Sequence, residues 1–230
     1  HQNDQAETLL LHMLRGAGLR GIAGMSWGPE RGVIRPFLGT QRDEIHAALA
    51  RWGVSWREDA SNSSTEHDRN RLRLELLPEL AREWNPRIIA TLGRLSEIAA
   101  TDDSALDSVA AEVVGKAVNR CSDELVLLDV SILQRYHSGI RRRVIRQVAE
   151  QLRTVDRALS YAETDRLAAL IDRHGHTVLR GRVDAWSGIV HGDETLWIEA
   201  ADAWRGPDLV EVPGEVHIPN RGILRATVGE

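Results

Sequence analysis

The chain has 230 residues, of which 42% are hydrophobic and 27% charged, and its formal net charge is −5. These values are typical of a globular protein with one or two domains, and they argue against a surface that binds nucleic acid uniformly. No apolar run approaches the roughly 18 residues that a membrane helix needs, so no membrane partner is expected. A single cysteine, Cys121, excludes an internal disulfide framework and a multi-cysteine zinc site, and it favours a cytoplasmic location.

The start of the chain combines a helix with a glycine-rich turn. Asp4, Glu7 and Thr8 open the predicted helix, which ends at Arg15-Gly16, and Arg20 lies among the glycines that follow. Glycine permits a positive φ and a close approach of the backbone to a ligand. A carboxylate pair followed by such a turn is typical of half of a polar site. The alternative is a capping box, in which the two carboxylates satisfy free backbone N–H groups.

Residues 28–80 add four predicted segments. The pattern predicts a short strand at Gly32–Arg35 and a helix at Gln41–Trp52. A turn is predicted at 58–62 (E-D-A-S-N), and a helix over 69–80 begins with R-N-R-L-R. Three arginines in this short run could hold phosphate groups through charge-assisted hydrogen bonds, or they could form a solvated helix face.

The second half of the chain is predicted to be mainly helical. A long helical stretch over 87–119 carries acidic residues near Thr101, where two helices or a kink are expected. A clearer helix at Ile140–Leu152 has a stripe of arginines that includes Arg142 and Arg146. Such a stripe can neutralise an RNA backbone. The competing interpretation is a solvated face whose arginines pair with the acids of neighbouring helices.

Short strands are predicted to follow one more helix. That helix is Ser160–Arg173, and the strands are Thr177–Arg182, Asp184–His191 and Thr195–Glu199, with a hairpin turn at Gly192-Asp193. The apolar run Leu125–Asp129 fits either a strand or the entry to a helix. A domain boundary is expected near 200–206, after which residues 207–230 read as the first strands of a small domain.

Residues 1–80 resemble the tRNA(Ile)-lysidine synthetases, which belong to the PP-loop ATP pyrophosphatase superfamily. The resemblance rests on D-Q-A-E-T at 4–8 and R-G-A-G-L-R-G at 15–21, followed by R-P-F-L, E-D-A-S-N and R-N-R-L-R in the order and spacing of the family's motifs. Ala60, Ser64 and His67 depart from the family pattern, which has proline, aspartate and tyrosine at these places.

The resemblance implies an α/β fold for residues 1–86, as the C-terminal part of a Rossmann-like PP-loop catalytic domain. It implies a mainly helical domain with a small β-hairpin over 87–203, which binds tRNA and substrate. Residues 204–230 would start a small C-terminal domain that contains β-strands.

The family's reaction implies ATP and Mg²⁺ as cofactors, and free L-lysine and a tRNA(Ile) with a CAU anticodon as partners. ATP adenylates the C2 oxygen of the wobble cytidine, and the amine of lysine then displaces AMP to give lysidine. The sequence does not decide the oligomeric state, and a homodimer is one option.

Carried onto this sequence, the resemblance implies roles for the charged residues. A buried lysine ammonium needs carboxylate partners, and Asp4 would also be the ligand of Mg²⁺, a hard cation that prefers oxygen. The candidate catalytic residues are Asp4, Glu7, Arg15 and Arg20. The candidates for binding tRNA or lysine are Thr8, Arg35, Arg69, Asn70, Arg71, Arg73, Arg142 and Arg146.

The family's nucleotide loop, S-G-G-x-D-S, does not occur in these 230 residues. We expect that loop upstream of His1, and we expect the chain to be inactive alone. The absent loop and the arginine stripe support an alternative from a different class of function, a non-catalytic tRNA-binding or scaffold module. A thiolase-type PP-loop enzyme would need cysteine pairs for an iron–sulfur cluster, and the lone Cys121 argues against it.

Overall fold

The protein is described by a computed structural model that covers residues 1–29, 32–56, 68–122, 124–152, 154–155, 157–179, 183–190, 193–200, 214–218 and 222–226. The chain divides into two compact units, unit 1 (His1–Ala105) and unit 2 (Leu106–Glu230). Among the residues described, no helix is both long and apolar enough to cross a membrane.

Unit 1 is helical. Its helices are α1 (Gln2–Leu14), α2 (Leu19–Ile22), α3 (Arg42–Arg51), α4 (Asp68–Arg71), α5 (Leu77–Glu83) and the first part of α6 (Ile88–Ala117). A π-helical stretch, Leu72–Leu76, joins α4 to α5. The core of unit 1 is small and consists of Ala6, Leu9, Leu77 and Leu92, with α1 packed against the segment that contains α4 and the π-helix.

The backbone of unit 1 confirms one predicted helix and corrects one predicted strand. The helix expected at Gln41–Trp52 is present, and Gln41 and Trp52 are its two caps. The strand expected at Gly32–Arg35 is wrong, because Val33 makes only an isolated bridge and the chain then turns. The Arg35 N–H donates to the Trp27 carbonyl at 3.4 Å.

Helix α6 is one helix from Ile88 to Ala117, so the first alternative expected near Thr101, a division into two helices, is wrong. The Thr101 hydroxyl donates to the carbonyl of Glu97, one turn earlier in the same helix. Asp107, one of the acidic residues that led to the prediction, accepts hydrogen bonds from arginines of the later helix at 138–149. The acidic residues are therefore accommodated within the helix.

Unit 2 is built on a five-stranded antiparallel sheet in the order β1-β2-β5-β4-β3. The strands are β1 (Val118–Cys121), β2 (Leu125–Asp129), β3 (Gly175–Leu179), β4 (Val183–Val190) and β5 (Asp193–Ala200). The small β-hairpin that the sequence predicted is thus one part of a larger sheet, and Leu125–Asp129 is a strand. The residue Gly192, predicted in the hairpin turn, lies outside the described residues.

Helices cover the core of unit 2. They are the end of α6, α7 (Val130–Leu133), α8 (Ser138–Ala149) and α9 (Tyr161–Ala168), which continues as a 3₁₀ turn, Ala169–Ile171. The apolar face predicted for α8 is buried, because Val144, Ile145 and Val148 have no exposed surface. The core also contains Val113, Leu128, Leu133, Leu152, Leu167, Leu170, Leu196 and Ile198.

A separate two-stranded sheet follows, formed by β6 (Gly214–Ile218) and β7 (Gly222–Ala226). This agrees with the short strands expected after residue 207. The turn predicted at 58–62 and the boundary region after residue 200 lie outside the described residues, and the domain boundaries given above stay predictions.

Candidate functional site

The two predicted carboxylates of helix α1, those of Asp4 and Glu7, make different contacts. His1 is the N-cap, and its imidazole Nδ1 accepts from the backbone N–H of Asp4, which lies at the third helical position. The capping box is therefore made by His1 and Asp4 and not by Asp4 and Glu7. Glu7 lies one turn further along α1 and is available for a different contact.

Glu7 is completely buried and is paired with two arginines. Arg69 donates from Nε to Glu7 Oε2 at 2.7 Å. Arg73 donates from Nε to Oε1 at 2.7 Å and from Nη2 to Oε2 at 3.0 Å. A buried carboxylate needs such partners, because an uncompensated buried charge costs several kcal/mol. Glu7 therefore holds two arginines in place, and its role as a direct partner of an ammonium group stays a prediction.

Asp4 joins the same network, which we call the Asp4–Arg73 network (Asp4, Glu7, Arg69 and Arg73). Its Oδ1 accepts from Arg69 Nη2 at 3.2 Å and from Arg73 Nη2 at 3.3 Å. The spacing explains the arrangement, since residues three or four apart share one helix face. Hydrogen bonding to Glu7 raises the pKa of Arg73 above its ordinary value.

The middle arginine of the R-N-R-L-R segment lies on another face. Arg71 Nε is 3.9 Å from Glu75, and both side chains are largely exposed. Asn70 is buried and lines the cavity described next. Arg69 and Arg73 lie one helical turn apart and face α1, whereas Arg71 lies halfway between them. The three arginines occupy alternate positions of the segment, and in a helix this spacing separates Arg71 from the other two.

The Asp4–Arg73 network forms one side of a cavity of about 540 Å³, which we call the α1 cavity. Guanidinium groups of Arg35, Arg69 and Arg73 and the carboxylate of Asp4 bring charge to it. Its remaining lining residues are His1, Met25, Pro36, Phe37, Leu38 and Asn70. The cavity therefore combines guanidinium groups, a carboxylate that is about one quarter exposed and an apolar wall.

The glycine-rich turn contributes one residue, Met25, to the lining of the α1 cavity. The amide nitrogen of Gln5 donates to the carbonyls of Ala23 and Met25, each at 3.1 Å, and the Met25 N–H donates back to Gln5 Oε1 at 2.8 Å. Gly24, between them, has φ +67°, and a Cβ added there would lie 2.8 Å from Gln5 Oε1. Glycine is thus required at this position for both conformation and space.

Three further predicted site residues of unit 1 lie away from the α1 cavity. Arg15 is at the far end of α1, about 16 Å along the helix axis from Asp4, where it is 3.7 Å from Asp68. Arg20 is exposed and makes no hydrogen bond or ion pair with the residues that the structure describes. Thr8 is half-buried and is not among the described residues that line the cavity.

The arginine stripe of α8 is ion-paired within unit 2. Arg146 Nη2 lies 3.4 Å from Asp107, and Arg142 lies 3.4 Å from Asp165 with its guanidinium carbon 5.5 Å from the centre of the Tyr161 ring. The other pairs are Arg141 with Asp172 and Arg143 with Asp107. This arrangement is the second of the two sequence interpretations, a face paired with neighbouring acids. Binding of tRNA by Arg142 and Arg146 stays a prediction.

The described residues do not gather a set of metal ligands. No group of three His, Cys, Asp or Glu side chains among them is placed to hold a metal ion. Asp4 contributes a carboxylate that already faces two guanidinium groups. A Mg²⁺ ion at Asp4 would therefore have to take most of its ligands from water and substrate phosphates, as Mg²⁺ often does.

Sequence reasoning missed the cavity wall and the residue that holds it. Met25, Pro36, Phe37 and Leu38 were not proposed as site residues, and neither was Gln5. Proline, phenylalanine and leucine follow Arg35 directly in the R-P-F-L segment, and that adjacency was the available signal.

Two comparisons with known proteins agree on what this chain is similar to. The family model described as a PP-loop domain matches residues 1–80, the segment that carries the α1 cavity. A tRNA(Ile)-lysidine synthase of Solibacter usitatus is 33% identical over 173 residues, covering 74% of this chain and 38% of the relative. The chain is a homologue of the tRNA(Ile)-lysidine synthases.

Other synthases of this name extend the relationship into unit 2. The Leifsonia xyli protein is 38% identical over 175 residues, which is 75% of this chain and 52% of the relative. The Vibrio parahaemolyticus protein is 30% identical over 217 residues, which is 85% of this chain and 49% of the relative. The chain thus spans about one third to one half of the length of the curated synthases that it matches.

Proposed function

We propose that this chain is the lysine-binding part of a tRNA(Ile)-lysidine synthase and that the α1 cavity is the site for free L-lysine. The complete reaction in this proposal is the ATP-dependent ligation of lysine to C2 of the wobble cytidine of a tRNA(Ile) with a CAU anticodon. The observation that carries the proposal is the Asp4–Arg73 network, in which two motifs that are distant in sequence meet at one cavity.

The chemistry of the cavity matches a ligand with a carboxylate at one end of an aliphatic chain and a terminal ammonium at the other. Asp4 supplies a carboxylate among the described lining residues, and it suits the terminal ammonium group. Arg69 and Arg35 suit a carboxylate, because a guanidinium fork binds carboxylate oxygens with two N–H groups. Phe37 and Pro36 offer apolar surface for the methylene chain. Buried Glu7 holds the guanidinium groups of Arg69 and Arg73 in position through hydrogen bonds.

ATP use follows from the PP-loop family. ATP, with Mg²⁺, would activate the C2 oxygen of cytidine as a leaving group when bound. These 230 residues contain no S-G-G-x-D-S motif, so we do not expect lysidine formation by this chain alone. Its own contribution is to bind and orient the lysine amine that attacks. A cytoplasmic location, tRNA(Ile) as partner and an optional homodimer complete the proposal.

Binding of three related compounds to the chain tests this proposal by isothermal titration calorimetry. The first is L-lysine, the second is L-norleucine, which lacks the terminal ammonium, and the third is cadaverine, which lacks the carboxylate. We expect L-lysine to bind and both analogues to bind at least about tenfold more weakly, since each leaves a charged group of the cavity without its partner. Equal binding of lysine and norleucine, or no binding of lysine, would contradict the proposal.

The alternative, a non-catalytic tRNA-binding module, makes the opposite prediction in the same experiment. Such a module would bind tRNA with a strong salt dependence and would not bind L-lysine. The ion pairs of the α8 arginines with Asp107, Asp165 and Asp172 reduce the support that the arginine stripe gave to this alternative.

A further inference from the structure

The amide of Gln5 is the centre of a buried hydrogen-bond group that lies behind the α1 cavity. Gln5 and Ser96 have 6% and 0% of their surface exposed. Gln5 Nε2 lies 2.6 Å from Ser96 Oγ, and Ser96 Oγ donates to the carbonyl of Ala23. With the bonds to Ala23 and Met25 described above, α1, α6 and the glycine-rich turn meet at these two side chains.

The bonds of this group fix the backbone on both sides of Gly24. The carbonyls of Ala23 and Met25 accept from Gln5, and the Met25 N–H donates to it. A residue with positive φ would otherwise be free to adopt other conformations, because glycine is the most permissive residue. Met25 belongs both to this group and to the lining of the cavity. Its position therefore depends on the bonds of Gln5 and Ser96.

We infer that Gln5 and Ser96 are positioning residues that hold Met25 in the wall of the α1 cavity and so set the shape of the ligand site. Neither side chain is among the described lining residues, so neither is expected to touch the ligand. The inference rests on the proposed function for the identity of the ligand, L-lysine. It rests on the hydrogen bonds alone for the position of Met25.

Ser96→Ala is the variant of choice, because it removes one hydroxyl and leaves the bonds from Gln5 to the turn available. Ser187→Ala is a matched control. Ser187 is also a buried serine whose hydroxyl donates to a backbone carbonyl, that of Arg173 at 2.9 Å, and it belongs to unit 2. Both variants lose a buried serine hydroxyl bond, and only Ser96→Ala changes a group that is connected to the cavity.

Methyl NMR of the full chain labelled with ¹³C-methyl methionine follows Met25 directly. The chain has two methionines, and Met13, which is about half exposed at the other end of α1, serves as an internal reference. We expect Ser96→Ala to move the Met25 signal while the Met13 signal stays in place, and Ser187→Ala to move neither. An unchanged Met25 signal in folded Ser96→Ala would overturn the inference, whether or not the chain binds lysine.

Lysine affinity supplies the readout that a purely structural role would not change. We expect Ser96→Ala to weaken L-lysine binding by about fivefold, the fold-change that corresponds to one hydrogen bond. In a Met25→Leu background, the same substitution should have a clearly smaller effect, because the residue through which it acts has been replaced. Equal effects in both backgrounds would overturn the role of Met25. If the wild-type chain fails to bind lysine, the proposed function fails, and the NMR result still decides the inference.

If Ser96→Ala does not fold, Ser96→Cys takes its place in the NMR test, because it keeps the shape of the side chain and replaces the hydroxyl with a weaker donor. Met25→Leu tests the wall itself, because it preserves the buried bonds of Gln5 and Ser96 and changes only the shape of the wall. A change in the ratio of L-lysine to L-norleucine affinity would support a wall that sets the site's shape. An unchanged ratio with unchanged lysine affinity would overturn it.

Discussion

Glu7 of α1 and Arg73 of the π-helical segment form a two-point ion pair, in which Nε and Nη2 of Arg73 donate to the two carboxylate oxygens at 2.7 and 3.0 Å. Glu7 has no exposed surface, whereas Arg73 keeps about one fifth of its side-chain surface exposed. The pair therefore joins the interior of unit 1 to the α1 cavity. Both the stability of unit 1 and the direction of the Arg73 guanidinium depend on it.

Replacing Arg73 with alanine should destabilise the protein strongly. The substitution leaves Glu7 buried with Arg69 as its remaining partner in the network, and we expect a loss of about 3 kcal/mol, the lower end of the range for a broken buried ion pair. Urea denaturation followed by tryptophan fluorescence measures the change.

Arg71→Ala is the matched control for Arg73→Ala. Arg71 belongs to the same segment, but it is exposed and 3.9 Å from its partner Glu75. An exposed pair of this kind contributes about 0–1 kcal/mol. Similar losses for the two variants would mean that the buried pair does not determine stability.

Gly24→Ala should cost more than Gly53→Ala, although both glycines have nearly the same positive φ, +67° and +65°. The common cost of placing alanine in this conformation is about 1–2 kcal/mol. At Gly24 the new Cβ would also meet the Gln5 amide, whereas nothing among the described residues lies within 4 Å at Gly53. Thermal unfolding of the two variants gives the comparison, and equal melting temperatures would contradict the crowding at Gly24.

Asp107 should be the more important carboxylate of the α8 arginine face. It accepts from both Arg143 and Arg146 and is two-thirds buried, so we expect Asp107→Ala to cost about 2 kcal/mol, the value of a hydrogen bond to a charged group. Asp165→Ala serves as control, since the 3.4 Å pair of Asp165 with Arg142 is more exposed and should contribute about 0–1 kcal/mol. Chemical denaturation of the two variants measures both losses of stability, and a larger loss for Asp165→Ala than for Asp107→Ala would contradict this assignment.

The salt dependence of tRNA binding separates the two predicted tRNA-binding arginines of α8. Arg142→Ala should lower the slope of log affinity against log salt by about one, as expected for the loss of one phosphate contact. Arg146→Ala should leave that slope unchanged, because the Arg146 side chain is four-fifths buried and its guanidinium group lies beside Asp107. Filter binding at several salt concentrations measures both slopes. A drop for Arg146→Ala alone would contradict the prediction.

Local patterns in the sequence identified several elements of the fold because those elements depend on local spacing. Helix α3 and the buried face of α8 follow from periodicity within one segment. The single helix α6 did not follow from local spacing, because the arginines of α8 that pair with the acidic residue Asp107 lie far from it in the sequence. The five-stranded sheet was underestimated for a similar reason, since β2 pairs with β5, which comes much later in the chain.

The charged residues of the Asp4–Arg73 network were singled out from the sequence, but their pairing with one another was not predicted. Asp4, Glu7, Arg69 and Arg73 were all singled out, yet as separate partners of lysine and tRNA. Their mutual pairing depends on the packing of two distant segments. Arg71 could have been separated from its neighbours by helical geometry, because residues two apart in a helix do not share a face.

Titration of L-lysine into the Asp4→Asn variant tests the central claim most directly, with Asp43→Asn as control. Asp43 is an exposed aspartate in the first turn of α3, outside the described lining of the cavity. Because asparagine keeps the shape of Asp4 and removes its charge, we expect lysine affinity to fall at least about tenfold in Asp4→Asn. Asp43→Asn should bind as the wild type does. Equal lysine affinity in Asp4→Asn and the wild type would contradict the assignment of the α1 cavity as the lysine site.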